Sequence, residues 1–262
     1  MKPRFRNALT GLFLLATTLM LAGCVTEGGK QQFRNTNKAK AIQQYTELGL
    51  RYIQQGDTVK AMVPLKRALE LAPKDPGVHN AFAILFQAEK EPDLADEYFR
   101  KSLKFGPKET RLRNNYAAFL FAQQRYTEAC AQLESAAEDE LYEKRSAVYE
   151  NLGLCYLKLE QEKNALEAFE RAISINDSQP RALLEASTLY FNQGDIQRSD
   201  RYHTSYQRLV RFRMARNTPK NLWLGVRLAR ETGDKNKEAS YALQLRNLFP
   251  DSEETKRLGS SL

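Results

Sequence analysis

Thiols and imidazoles are the groups through which this chain could do covalent or metal chemistry, and it has five of them: Cys24, Cys130, Cys155, His79 and His203. A thiolate attacks carbon, sulfur or a metal, and an imidazole moves protons or ligates zinc. Both kinds of chemistry need groups that converge, and the two histidines lie 124 residues apart. His79 reads as a surface histidine and His203 as a packed one. No HExxH, glycine-rich phosphate loop or GxSxG elbow is present. Carboxylates are plentiful, but a pair such as Glu138 and Glu140 reads as a solvated helix face and not as an acid/base dyad. The expectation is therefore no catalytic residue, no metal site, no cofactor and no small-molecule substrate, so not an enzyme.

Cys24 is different, because its surroundings are specific. Lys2, Arg4 and Arg6 form a positive start, and residues 8–22 are mostly apolar, broken by Thr10, Gly11, Thr17 and Thr18. That is a signal-peptide pattern, and the run falls short of the roughly 20 apolar residues a spanning helix requires. Leu21-Ala22-Gly23-Cys24 resembles the bacterial lipobox, which implies cleavage before Cys24 and diacylglycerol and a fatty acyl chain such as palmitate on that residue. The alternatives are a chance cysteine near an ordinary cleavage site and an uncleaved anchor. Several acyl chains, each buried CH₂ contributing about 0.8 kcal/mol, hold a protein on a bilayer where one does not. Val25 stands where an aspartate tends to retain such lipoproteins at the inner membrane, so the resemblance points to the outer membrane, periplasmic face. Residues 25–40, VTEGGKQQFRNTNKAK, are too polar to bury a core and read as a flexible tether.

Stepping a ruler along the remaining chain reveals what must position everything else. Leu48, Gly49, Tyr52, Ala61, Leu65, Ala68 and Pro73 recur 34 residues later as Phe82, Ala83, Phe86, Ala95, Phe99, Ser102 and Pro107, with Tyr45 one turn before the first of them. This is the tetratricopeptide pattern, a pair of antiparallel helices with small residues where they cross and large ones between. Six copies fit: 42–75, 76–109, 110–145, 146–179, 180–213 and 219–252. The first 23 residues then form the signal peptide, 24–41 the lipidated cysteine and tether, and 253–262 a C-terminal tail. Gly-Asp falls at one inter-helix turn in repeats one, five and six, as Gly56-Asp57, Gly194-Asp195 and Gly233-Asp234. The fold class is all-α, a solenoid whose stacked hairpins wind into a right-handed superhelix. Two residues conflict with the pattern. Pro64 falls inside the second helix of repeat one and should kink it, and Glu238 fills a slot that should be small.

In tetratricopeptide proteins the first helix of each repeat lines a concave face. Mapped onto this sequence, that face carries Leu50, Ile53, Asn80, Ile84, Asn114, Phe121, Leu154, Leu157, Leu184, Phe191 and Trp223. Recurrent apolar residues there read as a groove for an amphipathic helix or extended apolar segment, or alternatively as packing between repeats. Leu50 stands where carboxylate-clamping members of the family carry asparagine, which argues against an acidic C-terminal peptide. Cys130 and Cys155 fall on adjacent helices, within range of a disulfide or present as two buried thiols. Net charge is +8, or +5 without Lys2, Arg4 and Arg6, and arginine is concentrated between Arg198 and Arg230. In an exported protein that points to an acidic partner surface or anionic headgroups, or to a solvated face, and not to nucleic acid.

Signal, lipobox, tether and six repeats together resemble the pilotin lipoproteins of type IV pilus assembly. The resemblance implies that the chain binds the pilus secretin subunit, brings it to the outer membrane through the lipid anchor and promotes its multimerisation, without cofactor or reaction. A different process fits the same features: an adaptor lipoprotein that recruits peptidoglycan hydrolases or outer-membrane-protein assembly factors.

Overall fold

The computed structural model describes residues 27–260. The signal peptide and Cys24 lie outside the described residues. Thirteen helices and no strand are found among those described. They form six antiparallel pairs and a last short helix: α1 (Glu27–Gln54) with α2 (Thr58–Leu71), α3 (Pro76–Ala88) with α4 (Pro92–Phe105), α5 (Thr110–Ala122) with α6 (Tyr126–Ala137), α7 (Arg145–Lys158) with α8 (Glu162–Ile175), α9 (Pro180–Asn192) with α10 (Ile196–Arg211), α11 (Pro219–Glu231) with α12 (Lys235–Leu248), and α13 (Glu253–Ser260). This is the expected all-α tetratricopeptide architecture. The chain divides into two compact units at Gly106/Pro107, with α1–α4 in the first and α5–α13 in the second.

Each hairpin is closed by one residue of left-handed conformation. In repeats one, five and six it is glycine, with φ of 79° at Gly56, 80° at Gly194 and 71° at Gly233; in repeats two, three and four the same turn holds Lys90 (62°), Gln124 (60°) and Glu160 (58°). The following aspartates of the Gly-Asp pairs cap the second helix, their carboxylates accepting from the N–H groups of Lys60, Arg198 and Lys237. Gly-Asp is thus two signals, one for chain reversal and one for helix initiation. The reversal survives without glycine at a conformational cost. Gln124→Gly should therefore raise the thermal midpoint by about 2–4 °C, the shift that roughly 1 kcal/mol produces in a chain of this size. A thermal melt showing no increase would mean that the turn carries no strain.

Close crossing follows from the small residues. A methyl group added to Gly49 would lie 2.5 Å from Leu65, one on Gly153 2.5 Å from the Phe169 ring, and one on Gly225 2.8 Å from the Tyr241 ring. In repeat five serines do this work: Ser187 Oγ donates to the carbonyl of Ser199 at 2.8 Å and Ser199 Oγ donates to that of Ser187 at 2.7 Å. Each buried hydroxyl thus satisfies itself on the facing backbone, which is how a repeat with serine at both crossing positions still packs. Around these crossings the first unit buries Leu65, Val78, Phe82 and Leu85, and the second buries successive clusters around Phe169, around Leu183 and Leu209, and around Leu222 and Leu245.

Four expectations are corrected. The tether is not coil from residue 27: α1 begins at Glu27 and the side chains of 36–40 are exposed, so the segment buries no core yet continues a helix already nucleated by packing beyond residue 40. The C-terminal tail is a helix, α13, whose Leu258 is buried against Leu222, Val226 and Leu245. His79 is buried, its Nε2 2.9 Å from the carbonyl oxygen of Pro73 and its ring against Tyr98 and Phe105. Helix α2 runs unbroken through Pro64, whose ring is buried. Glu238 is accommodated because it points to Arg230 at 2.7 Å and Lys235 at 3.3 Å instead of into the crossing, where Gly225 already meets Tyr241.

Candidate functional site

The residues mapped to the concave face divide between the units: Leu50, Ile53, Asn80 and Ile84 in the first, Asn114, Phe121, Leu154, Leu157, Leu184, Phe191 and Trp223 in the second. Asn80 and Leu184 are buried and the other nine are half-buried. Most of the apolar ones rest on a core cluster with part of their surface free, as Leu50 and Ile53 do over Leu65, Leu154 and Leu157 over Phe169, and Trp223 over Leu222. Leu184 belongs to the core outright, because the joint after α10 brings α11 against it.

The second unit draws part of this set into one hollow of about 160 Å³, lined by Ala117, Ala118 and Phe121 of α5, Leu133 of α6, Asn151 and Leu154 of α7, and Arg181 of α9. First helices of three successive repeats therefore contribute, as a solenoid requires. Asn114 reaches the same place through Asn151, whose Nδ2 donates to its Oδ1 at 3.3 Å. Phe121 is held edge-on to Tyr126, with ring centres 5.2 Å apart. Mostly apolar walls with two amides and one guanidinium at the side suit an apolar side chain of a bound segment and fix its orientation through polar contacts. Ala118 and Arg181 share the ruler positions of Leu154 and Arg111 but, being small or charged, give no signal as part of an apolar stripe. Asn151 lies off those positions altogether.

Farther along the second unit the stripe is capped by cations. The Arg227 guanidinium lies 4.0 Å from the centre of the Phe191 ring and that of Arg230 lies 5.8 Å from Trp223. Burial lowers the Arg227 pKa from its ordinary value, with Arg257 acting in the same direction. Lys220 bridges to Glu185 at 2.6 Å from the next helix pair. Behind the stripe, Tyr190 and Tyr202 stack at 5.7 Å and both donate to Glu170, at 2.6 and 2.9 Å, and burial together with that carboxylate pushes Tyr202 up to about 12. These groups brace one helix against the next.

Cys130 of α6 and Cys155 of α7 are joined as a disulfide with Cα atoms 5.7 Å apart, one helix of repeat three stapled to one of repeat four. His203 is buried, 2.9 Å from the carbonyl oxygen of Asn221 and edge-on to Tyr241, and burial lowers its pKa. No group of three or more metal-ligating side chains occurs among the described residues. None of the described helices is long and apolar enough to cross a membrane.

A model of the tetratricopeptide repeat matches residues 109–178. The type IV pilus assembly protein PilF of Pseudomonas aeruginosa is 39% identical over 242 residues, covering 92% of this chain and 93% of that protein. A solved structure from the functional characterization of Pseudomonas aeruginosa pilF superposes with a TM-score of 0.79 at 38% identity, over 86% of this chain and all of the other. The crystal structure of PilW, described as a widely conserved type IV pilus biogenesis factor, matches with a TM-score of 0.67 at 27% identity, over 83% of this chain and 97% of that one. Six helical hairpins and near full-length kinship converge: the chain belongs to the PilF/PilW family of tetratricopeptide type IV pilus assembly proteins.

Proposed function

We propose that the protein is a pilotin, lipidated on Cys24 and held on the periplasmic face of the outer membrane, which binds the pilus secretin subunit and promotes its placement and multimerisation there. The observation that carries the binding role is the apolar hollow built by Phe121 and Leu154 in a chain of the pilus assembly family. An unassembled secretin subunit carries apolar segments destined for a pore, and half-buried side chains on helices already fixed by their own core can cover such a segment without folding around it. The role is one of binding: the two histidines are spent on backbone carbonyl contacts in separate units. The lipid supplies the address and the helical hairpins the recognition.

The test is a deletion strain complemented with wild type, Cys24→Ser or Phe121→Ser, scored for heat-resistant secretin multimers in outer-membrane fractions and for twitching motility. Phe121→Ser is the cleaner groove variant, because Leu154→Asp would place a charge against the Phe169 cluster and damage the fold as well. Wild type should restore both readouts. Cys24→Ser should leave multimers absent from the outer membrane, and Phe121→Ser should reduce them roughly tenfold, the effect of losing about 1.4 kcal/mol of contact, with helical circular dichroism intact. Multimers and motility that survive the deletion would overturn the secretin role.

A further inference from the structure

The joint between repeats five and six reads Arg211-Phe212-Arg213-Met214-Ala215-Arg216. It is not a loose loop. The Met214 N–H donates to the Leu209 carbonyl at 2.9 Å and the Arg213 N–H to that of Val210 at 3.0 Å, a Schellman closure of α10. Tyr206 Oη then donates to the Arg216 carbonyl at 2.7 Å, Ala215 packs on the Leu209–Leu224 cluster, and Thr218 and Asn221 form a capping box that starts α11. In such a closure the residue after the left-handed one usually packs back on the helix. Here Met214 is 58% exposed and Phe212 67%, so two large apolar side chains are held in water by a fixed turn. The left-handed position itself, at φ 59°, is occupied by an arginine although glycine would adopt it at lower cost.

Charge completes the pattern. Elsewhere in the basic region the cations have partners: Arg198 with Asp195, Arg208 with Asp177, Lys220 with Glu185, Arg230 with Glu238, and Arg227 over Phe191. Arg211, Arg213 and Arg216 are exposed and carry no such ion pair. The left-handed strain at Arg213 and the exposed side chains of Phe212 and Met214 do not stabilise the fold of the chain.

We propose that this turn is a membrane-contact site: Phe212 and Met214 enter the headgroup layer of an anionic phospholipid surface while Arg211, Arg213 and Arg216 bind its phosphates. Exposed aromatic and thioether side chains on a fixed turn suit a surface that deforms around them. Arginine can bury its stem there and keep its charge at the headgroups. An acidic protein would match the charge but would need a complementary pocket for two protruding side chains. The contact is separate from the secretin groove and adds a second point of attachment to the N-terminal one.

The full chain, with its single tryptophan removed by Trp223→Phe and carrying Phe212→Trp, is reconstituted in vesicles of phosphatidylcholine alone or with one third phosphatidylglycerol, and flotation records N-terminal attachment independently. On the anionic vesicles the new indole should emit to the blue and be quenched by brominated acyl chains; on neutral vesicles it should remain water-exposed. Arg211→Glu/Arg213→Glu/Arg216→Glu in the same background should lower the inserted fraction, with about fivefold in the insertion equilibrium per arginine removed and on the order of 100-fold for all three. Emission that stays red on both vesicle types, or insertion indifferent to the charge reversal, overturns the proposal. A blue shift produced only by adding a soluble acidic polypeptide assigns the turn to an acidic protein and equally overturns the membrane reading.

Discussion

Phe169→Ala is expected to lower the stability of the second unit by about 3–5 kcal/mol, the cost of emptying a fully buried aromatic position. The side chain has no exposed surface and fills the crossing of α7 and α8, where Gly153 exists to make room for it. Gly153→Ala should in turn cost about 1–3 kcal/mol in the wild-type background, because the new methyl would meet the ring. Combined, the two changes should cost less than their sum, since the methyl then occupies part of the vacated space. Urea unfolding of the two single variants and the double variant measures this. Strict additivity would show that the ring and the glycine do not share one packing site, and with it would fall the small-against-large account of the repeat.

Loss of the Cys130–Cys155 bond is the second large effect. It closes a loop of 25 residues, and the chain-entropy relation gives about 3.5 kcal/mol for a loop of that length. Cys130→Ala/Cys155→Ala should therefore melt well below wild type, and reductant should lower the wild-type midpoint while leaving the variant unmoved. Alanine is the suitable replacement because both positions are buried and it adds no polar group to them. Intact mass with and without reductant supplies the chemical check: a gain of two hydrogens on reduction. No gain would mean two free thiols side by side, and the stability difference should then vanish with it.

The helical hairpins were legible because the repeat writes its geometry in residue size. Gly49 with Leu65, Gly153 with Phe169 and Gly225 with Tyr241 keep one spacing, and the structure puts each pair in contact. What escaped the sequence was conformation without a composition signal. Lys90, Gln124 and Glu160 take the left-handed turn in place of glycine because the two helices they join already fix the chain reversal. The segment from Glu27 looked like coil because helix propagation from a packed neighbour leaves no hydrophobic period to read. His79 was mistaken for a surface residue because its partners, Tyr98 and Phe105, lie on the next helix. The hollow was half visible: apolar Phe121 and Leu154 stand out along the chain, whereas Asn151 and Arg181 belong to it only once three repeats are stacked.

A stack of hairpins has no natural last member, since the outer side of each pair resembles the side that accepted the one before it. Here α13 ends the series. Thr255 Oγ1 donates to the carbonyl of Phe249 at 2.7 Å, turning the chain back, and Leu258 seals the apolar surface left by Leu222, Val226 and Leu245. With glutamates at its start and Lys256 and Arg257 beyond them, the helix offers water a polar exterior. An unsealed end would invite the hairpin of another molecule, and a head-to-tail contact of that kind does not close on itself but runs on into fibres. Eight residues that set one leucine on the last pair are therefore enough to cover the apolar surface through which a further hairpin would add.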